Sequence, residues 1–197
     1  MKSGGLDTCT CKQVQVYAPT CTVILDHRVF KLHVKKEFIG MHPNAQLIEK
    51  FYTAFQSRDA DGMCACYHPD VTFTDPAFGT LHGPRAYAMW HMLCERGKDL
   101  KITFSNIQAD DTGASAHWEA RYSFSKSRRQ VLNIIEARFI LRNGLIAEHT
   151  DHFNLWKWSS MALGPVGVLL GWTPFVQSAI RRDALKGLDA YMESRAK

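Results

Sequence analysis

Three side chains have the types and the spacing for proton transfer. His149 and Asp151 lie two residues apart near the end of the chain's last alternating apolar stretch, and Asp75 stands directly before Pro76. In extended backbone successive side chains point to opposite faces, so His149, Asp151 and Phe153 share one face while Glu148, Thr150 and His152 share the other. A carboxyl group held in an apolar pocket has its pKa raised by desolvation and can shuttle a proton near neutral pH. An imidazole beside it can orient the carboxylate, protonate an enolate oxygen or hold a water. Trp118, Phe139 and Tyr87 are candidates to line such a pocket, with His91 as a further polar candidate. Other readings fit the same residues. Asp75 before a proline can cap a turn through backbone N–H groups. His149 and Asp151 can be an exposed pair at a sheet edge, and His91 beside Trp90 can be a core or rim histidine. No metal is expected at His149, Asp151 and His152, because adjacent strand residues point apart. No cofactor is expected either.

The elements that must position these groups are legible from residue 44 onward. Asn44 is a candidate N-cap, and Leu47, Ile48, Phe51, Tyr52 and Phe55 recur at three- and four-residue spacing, the mark of an amphipathic helix. Asp59 or Asp61 caps a second short helix through Met63 to Tyr67, which His68-Pro69 stops. Val71 to Asp75 alternates as a strand ended by Pro76. Pro84 opens a third helix carrying Tyr87, Trp90, His91, Leu93 and Cys94, and Gly97 closes it. Strand patterns follow at 101–108, 114–125, 131–141 and 145–156, the last two joined by Asn143-Gly144, a strong hairpin signal. This order predicts an α+β domain: three N-terminal helices packed against a strongly curved, mostly antiparallel sheet, a cone-shaped barrel enclosing one cavity.

Three regions differ in character. Residues 1–40 lack helical periodicity and read as a peripheral or poorly structured extension, with possible short strands at 14–17 and 29–34. Residues 41–156 form the domain. Residues 157–197 combine the uncharged, glycine-broken stretch Met161–Val176 with an amphipathic helix over 178–195 bearing Ile180, Leu185, Leu188 and Tyr191. The apolar stretch is too short to span a bilayer, and the expectation is that Met161, Leu163, Val168, Leu169, Leu170 and Trp172 are buried on the domain or across a dimer. The net charge of +5 belongs to the ends. The body carries twelve basic and thirteen acidic residues, which gives a nucleic-acid channel no support. The six cysteines show no zinc spacing, and no secretory leader is legible, so reduced thiols and a cytoplasmic location are expected.

Residues Ile48-x-x-Phe51 to Phe55, Asp59-Ala60-Asp61-Gly62, Tyr67-x-Pro69-Asp70-Val71-x-Phe73-x-Asp75-Pro76, Gly79-x-x-x-Gly83 and the Asn143-Gly144 hairpin through Asp151 resemble the ketosteroid-isomerase and SnoaL-like polyketide-cyclase group of the nuclear transport factor 2-like superfamily. The resemblance covers about 115 residues. It implies that Asp75 occupies the place of the isomerases' proton-shuttling base. It matches their oxyanion-hole Tyr to Phe51, with Tyr52 beside it turned elsewhere, and their second oxyanion donor to Glu136, which could instead pair at the surface with Arg121 or Arg138. It matches the cyclases' catalytic Asp to Asp151. It further implies a homodimer paired through the sheet. The expected function is a cofactor-independent acid–base enzyme for a small hydrophobic molecule of polyketide, terpenoid or steroid size. The alternative is a non-catalytic binding module of the same fold. Membrane association is not expected.

Overall fold

The structure, a computed structural model, describes residues 21–25, 28–32 and 41–196. The chain divides into two compact units, Met1–Gly40 and Met41–Lys197. In the first, β1 (Cys21–Leu25) pairs antiparallel with β2 (Arg28–Leu32). The strand expected at 14–17 lies outside the described residues.

The second unit opens with α1 (Pro43–Gln56). His42 caps it, its Nδ1 accepting the N–H of Asn44, and Pro43 fills the first turn, where a missing N–H costs nothing. The expected cap, Asn44, instead donates its side-chain amide to the Asp110 carbonyl at 2.6 Å. Asp59 caps α2 (Ala60–Cys64) by accepting the Gly62 N–H. This helix ends before Tyr67, which therefore opens a strand, β3 (Tyr67–Asp75). Next come β4 (Gly79–His82), α3 (Pro84–Arg96), β5 (Lys101–Ala109), β6 (Gly113–Ser123), β7 (Gln130–Arg142) and β8 (Leu145–His152). Asn143 and Gly144 both take positive φ in the β7–β8 turn, as a two-residue hairpin requires.

The six strands lie in the order β4-β3-β8-β7-β6-β5. All neighbours are antiparallel except β3 and β8, which run parallel with Phe73 opposite His149 and Thr74 opposite Thr150. The sheet is not closed on itself; α1, α2 and α3 cover its inner face and complete the cone. Ile48, Phe51, Tyr52 and Phe55 of α1 and Met89 and Trp90 of α3 meet Phe73, Trp118, Ile135 and Phe139 of the sheet in one buried core.

After β8 the chain forms α4 (Leu155–Leu163), α5 (Pro165–Leu170) and α6 (Pro174–Arg195). Leu155, Trp158 and Ala162 of α4 pack on Val131, and the Trp158 indole donates to the Tyr122 hydroxyl at 2.8 Å. α6 lies on α3: Leu188 is fully buried, Arg85 pairs with Asp189 at 2.8 Å, and Tyr191 and Arg195 both donate to Glu95. The expected burial of the apolar stretch is corrected here. Met161 and Leu163 are half-buried, but Val168, Leu169, Leu170 and Trp172 are exposed. The reason is steric. α5 touches α4 through Gly167 and Gly171, where an added Cβ would stand 1.9 Å from the carbonyl oxygen and the hydroxyl of Ser159, respectively. With the small face turned inward, the large side chains of a short helix have only the outer side left.

Candidate functional site

His149 and Asp151 both face inward from β8 and are 0% and 3% exposed. Their neighbours across the sheet explain the depth. Phe139 of β7 and Phe73 of β3 flank His149 with ring centroids at 4.3 and 5.1 Å, while Phe51 and Trp90 close over it at 5.5 and 6.0 Å. Inside this aromatic cage the polar groups form one chain of hydrogen bonds. The Trp90 indole donates to Tyr67 Oη at 2.8 Å, Tyr67 Oη lies 2.7 Å from His149 Nδ1, and His149 Nε2 lies 3.0 Å from Asp151 Oδ1. Trp118 Nε1 donates to the same Oδ1 at 3.1 Å.

The donors assign the protons. An indole N–H only donates, so Tyr67 accepts from Trp90 and gives its single proton to Nδ1 of His149. Nδ1 is then an acceptor, Nε2 carries the imidazole hydrogen, and Asp151 Oδ1 receives two N–H donors. Asp151 Oδ2 makes no hydrogen bond among the described residues. Tyr52 Oη is also unpartnered, the one fully enclosed side-chain polar atom among the described residues of which this is true. Burial, and then the charge of Asp151, push the Tyr52 hydroxyl's pKa well up, so it stays a proton donor. Leaving such a group unpaired costs about 1–3 kcal/mol, which an oxygen placed against it would recover.

Asp75 ends β3 one residue beyond the Thr74–Thr150 pairing, which sets it beside Asp151 on the adjacent parallel strand. Part of the residue reaches solvent, but its carboxyl is crowded by protein atoms and accepts the Phe78 N–H, so it caps the β3–β4 turn as well. Burial pushes its pKa up from 3.8 to about 7; the Phe78 N–H opposes this, and the charge of Asp151 adds to it. A raised carboxyl pKa means that the folded state binds the proton more tightly than the unfolded chain. The stability from Asp75 is thus fully present below pH 3.8 and is lost as the pH rises through about 7. Melting curves between pH 4 and pH 8 are expected to show a loss of about 1–2 kcal/mol that Asp75→Asn abolishes, less than the full linkage because solvent screens part of the residue. An unchanged slope in Asp75→Asn would show that other groups cause it.

The remaining candidates divide. Trp118 and Phe139 lie on the inner face, as expected. Tyr52, expected to turn elsewhere, points inward together with Phe51 and stacks on Phe104 at 5.4 Å, because α1 buries a broad stripe rather than a single row. Tyr87 is half-buried, stacks on Tyr67 and donates to the His68 carbonyl at 3.0 Å, one layer away from His149. Two candidates lie elsewhere. Glu136 is exposed on the outer face, 2.6 Å from His117 Nδ1, because Ala137 is the residue of β7 that sits opposite Asp151. His91 is on the solvent side of α3, 3.5 Å from Asp61. The residues that sequence reasoning missed are Tyr67 and Trp90, which hold the far side of the imidazole. Parity with Phe73 and Asp75 does not locate Tyr67, because the register of β3 shifts between Tyr67 and Thr72.

Beyond the inner face, a groove of about 720 Å3 crosses the outer face of the sheet between Gln108, Ser115, Arg138, Glu148 and His152. Among the described residues no group of three or more His, Cys, Asp and Glu side chains is placed to hold a metal. Cys66 and Cys94 are buried, and burial pushes the Cys64 and Cys94 thiols up to about 12 and 11, away from thiolate chemistry.

These features define an open α+β cone with a buried His–Asp pair on its inner face. The SnoaL-like domain model matches residues 48–149, more than half of the chain, and the chain belongs to that family. None of the curated proteins matches it. Among solved structures it is similar to a nuclear transport factor 2-like protein of unknown function from Burkholderia pseudomallei, at 20% identity and TM-score 0.54 over 62% of this chain and 98% of that one. It is similar to an epoxide hydrolase of the LEH-like type from M. tuberculosis, at 18% identity and TM-score 0.53 over 65% and 95% of the two chains. A protein with a ketosteroid isomerase-like fold from Catenulispora acidiphila, in complex with trimethylamine, matches at 13% identity and TM-score 0.55 over 66% and 98%. At these identities the likeness is one of fold.

Proposed function

We propose that the protein is an acid–base enzyme that acts on a small hydrophobic molecule by enolisation, isomerisation, ring closure or the addition or removal of water. One observation carries this reading: Tyr52 Oη is enclosed without a partner, and Asp151, on the same inner side of the sheet, uses only Oδ1 for its hydrogen bonds among the described residues, leaving Oδ2 free. Asp151 is the base. With Oδ1 held by two N–H donors, Oδ2 is left to accept a proton from the substrate. Tyr52 donates to the substrate oxygen on which charge develops, where a positioned donor inside a dry site is worth far more than in water. Asp75, whose pKa burial pushes up to about 7, returns a proton from the neighbouring strand. His149 positions Asp151 and is itself held by Tyr67. The aromatic side chains around His149 favour a substrate that is mostly carbon.

The test uses apolar cyclic ketones such as 2-decalone as probes. Proton NMR in D2O follows exchange of the hydrogens next to the carbonyl, and the protein is expected to accelerate it at least about a hundredfold over buffer. Bound ketone with no accelerated exchange would leave a binding module and overturn the reading.

A further inference from the structure

The outer side of the C-terminal helices differs from the rest of the surface. Trp156 of α4, Val166, Val168, Leu169 and Leu170 of α5, and the following Trp172 and Phe175 are between 46% and 78% exposed. At about 200 Å2 per large side chain these fractions amount to about 800 Å2 of exposed apolar side chain between residues 156 and 175, large beside the few hundred Å2 of an ordinary apolar patch. The face is a consequence of the Gly167 and Gly171 contacts, which place the small residues between the helices and the large ones outside.

Its polar groups are satisfied from within. The exposed Trp156 and Trp172 donate their indole N–H groups to the carbonyls of Val168 and Leu169 at 3.1 and 3.0 Å, and the Thr173 hydroxyl donates to Leu170 at 2.6 Å. Neither indole needs water, so each can enter an apolar medium without losing a hydrogen bond. Charge is mostly of one sign, the exposed Asp183 being paired with Lys126. Residues 152–182 contain no Asp or Glu, while Lys157, Arg181 and Arg182 are exposed at the border of the face. The guanidinium of Arg129 lies against Gly164 at the α4–α5 turn.

We propose that this face docks on an anionic lipid bilayer, with Leu169, Trp172 and Phe175 entering the interface and Lys157, Arg129 and Arg182 meeting the headgroups. The depth fits. Interfacial helices lie in the plane of the bilayer surface with their apolar side about 5–10 Å deep, about the reach of one layer of large side chains, and no helix among the described residues is long and apolar enough to cross a membrane. A second copy fits worse, since a two-fold interface would press this cationic border against its own equivalent.

The experiment mixes the full chain with vesicles of phosphatidylcholine alone or with one third phosphatidylglycerol, and measures co-sedimentation and tryptophan emission. Binding to the anionic vesicles is expected at least about tenfold tighter than to neutral ones, with a blue shift, because each cation near the surface contributes about fivefold. The double variant Leu169→Asp, Phe175→Asp is expected to weaken binding by at least about a hundredfold. Lys157→Glu with Arg182→Glu is expected to weaken only the anionic binding, by at least about tenfold. All four side chains are exposed, so circular dichroism and melting should not change. Should the first pair misfold, the charge pair decides alone. Absent binding to anionic vesicles, equal binding to both kinds, or binding indifferent to these variants would overturn the proposal. Self-association that Leu169→Asp, Phe175→Asp abolishes would assign the face to a second copy instead.

Discussion

Asp151→Asn is expected to lower turnover by about 10²–10⁴-fold, the usual contribution of a positioned base, while melting within a few degrees of the parent. The amide oxygen of asparagine can still accept from His149 Nε2 and Trp118 Nε1, so the buried network keeps its partners; only the basic oxygen is gone. Asp151→Leu should behave differently. It deprives two buried N–H groups of their acceptor at about 1–3 kcal/mol each, and at about 2–4 °C per kcal/mol for a chain of this size the melting point should fall by roughly 5–20 °C. A change of tautomer moves the loss without removing it: Nδ1–H could donate to Tyr67 Oη, but the Tyr67 proton would then lose its acceptor and Nε2 would stand unpaired. Kinetics and thermal melts of the two variants separate the roles. Full activity in Asp151→Asn would remove Asp151 as base, and a Leu variant as stable as the parent would show that the network does not hold the site together.

Gly167→Ala is expected to destabilise the α4–α5 hairpin by about 3 kcal/mol or more, the upper range for forced overpacking. The added methyl would stand 1.9 Å from the Ser159 carbonyl oxygen and 2.4 Å from its carbon, backbone atoms that cannot rotate aside. α5 must then lift off α4, losing the Trp156 bond to Val168, and proteolysis near residue 165 should accelerate while the sheet core stays folded. Gly187→Ala on α6 is the control. There the methyl meets only the Arg96 side chain, at 3.6 Å, so the helix propensity of alanine should prevail and stabilise by about 0.5–1 kcal/mol. Equal and favourable effects at both positions would refute the close contact. The same substitution in two helices thus changes sign with what lies opposite.

The face shared by His149 and Asp151 was legible because alternation is a property of extended backbone within a few residues, and the inward side of the neighbouring β7 is marked by Phe139 and Ile135. The same rule, applied to β7, puts Glu136 outside; counting along a resemblance placed it inside, and the local geometry was the better guide. Helices α1 and α3 and the Asn143-Gly144 turn were legible for the same reason, since caps, periodicity and φ preference act over single turns. In the apolar stretch of the C-terminal segment the reading failed where it assumed that hydrophobic side chains point inward, because Gly167 and Gly171 claimed the inner side.

By itself, then, the amino-acid sequence determined the α+β class, most elements of the body and the shared face of His149 and Asp151, all carried by short-range pattern. Only the tertiary structure decided what those side chains meet. The parallel pairing of β3 with β8 sets Asp75 beside Asp151 and brings Tyr67 to His149, a partner 82 positions away along the chain, and α3 lowers Trp90 onto Tyr67. Strand order and helix docking depend on the packing of the whole core, to which distant residues contribute together, so no local spacing encodes them.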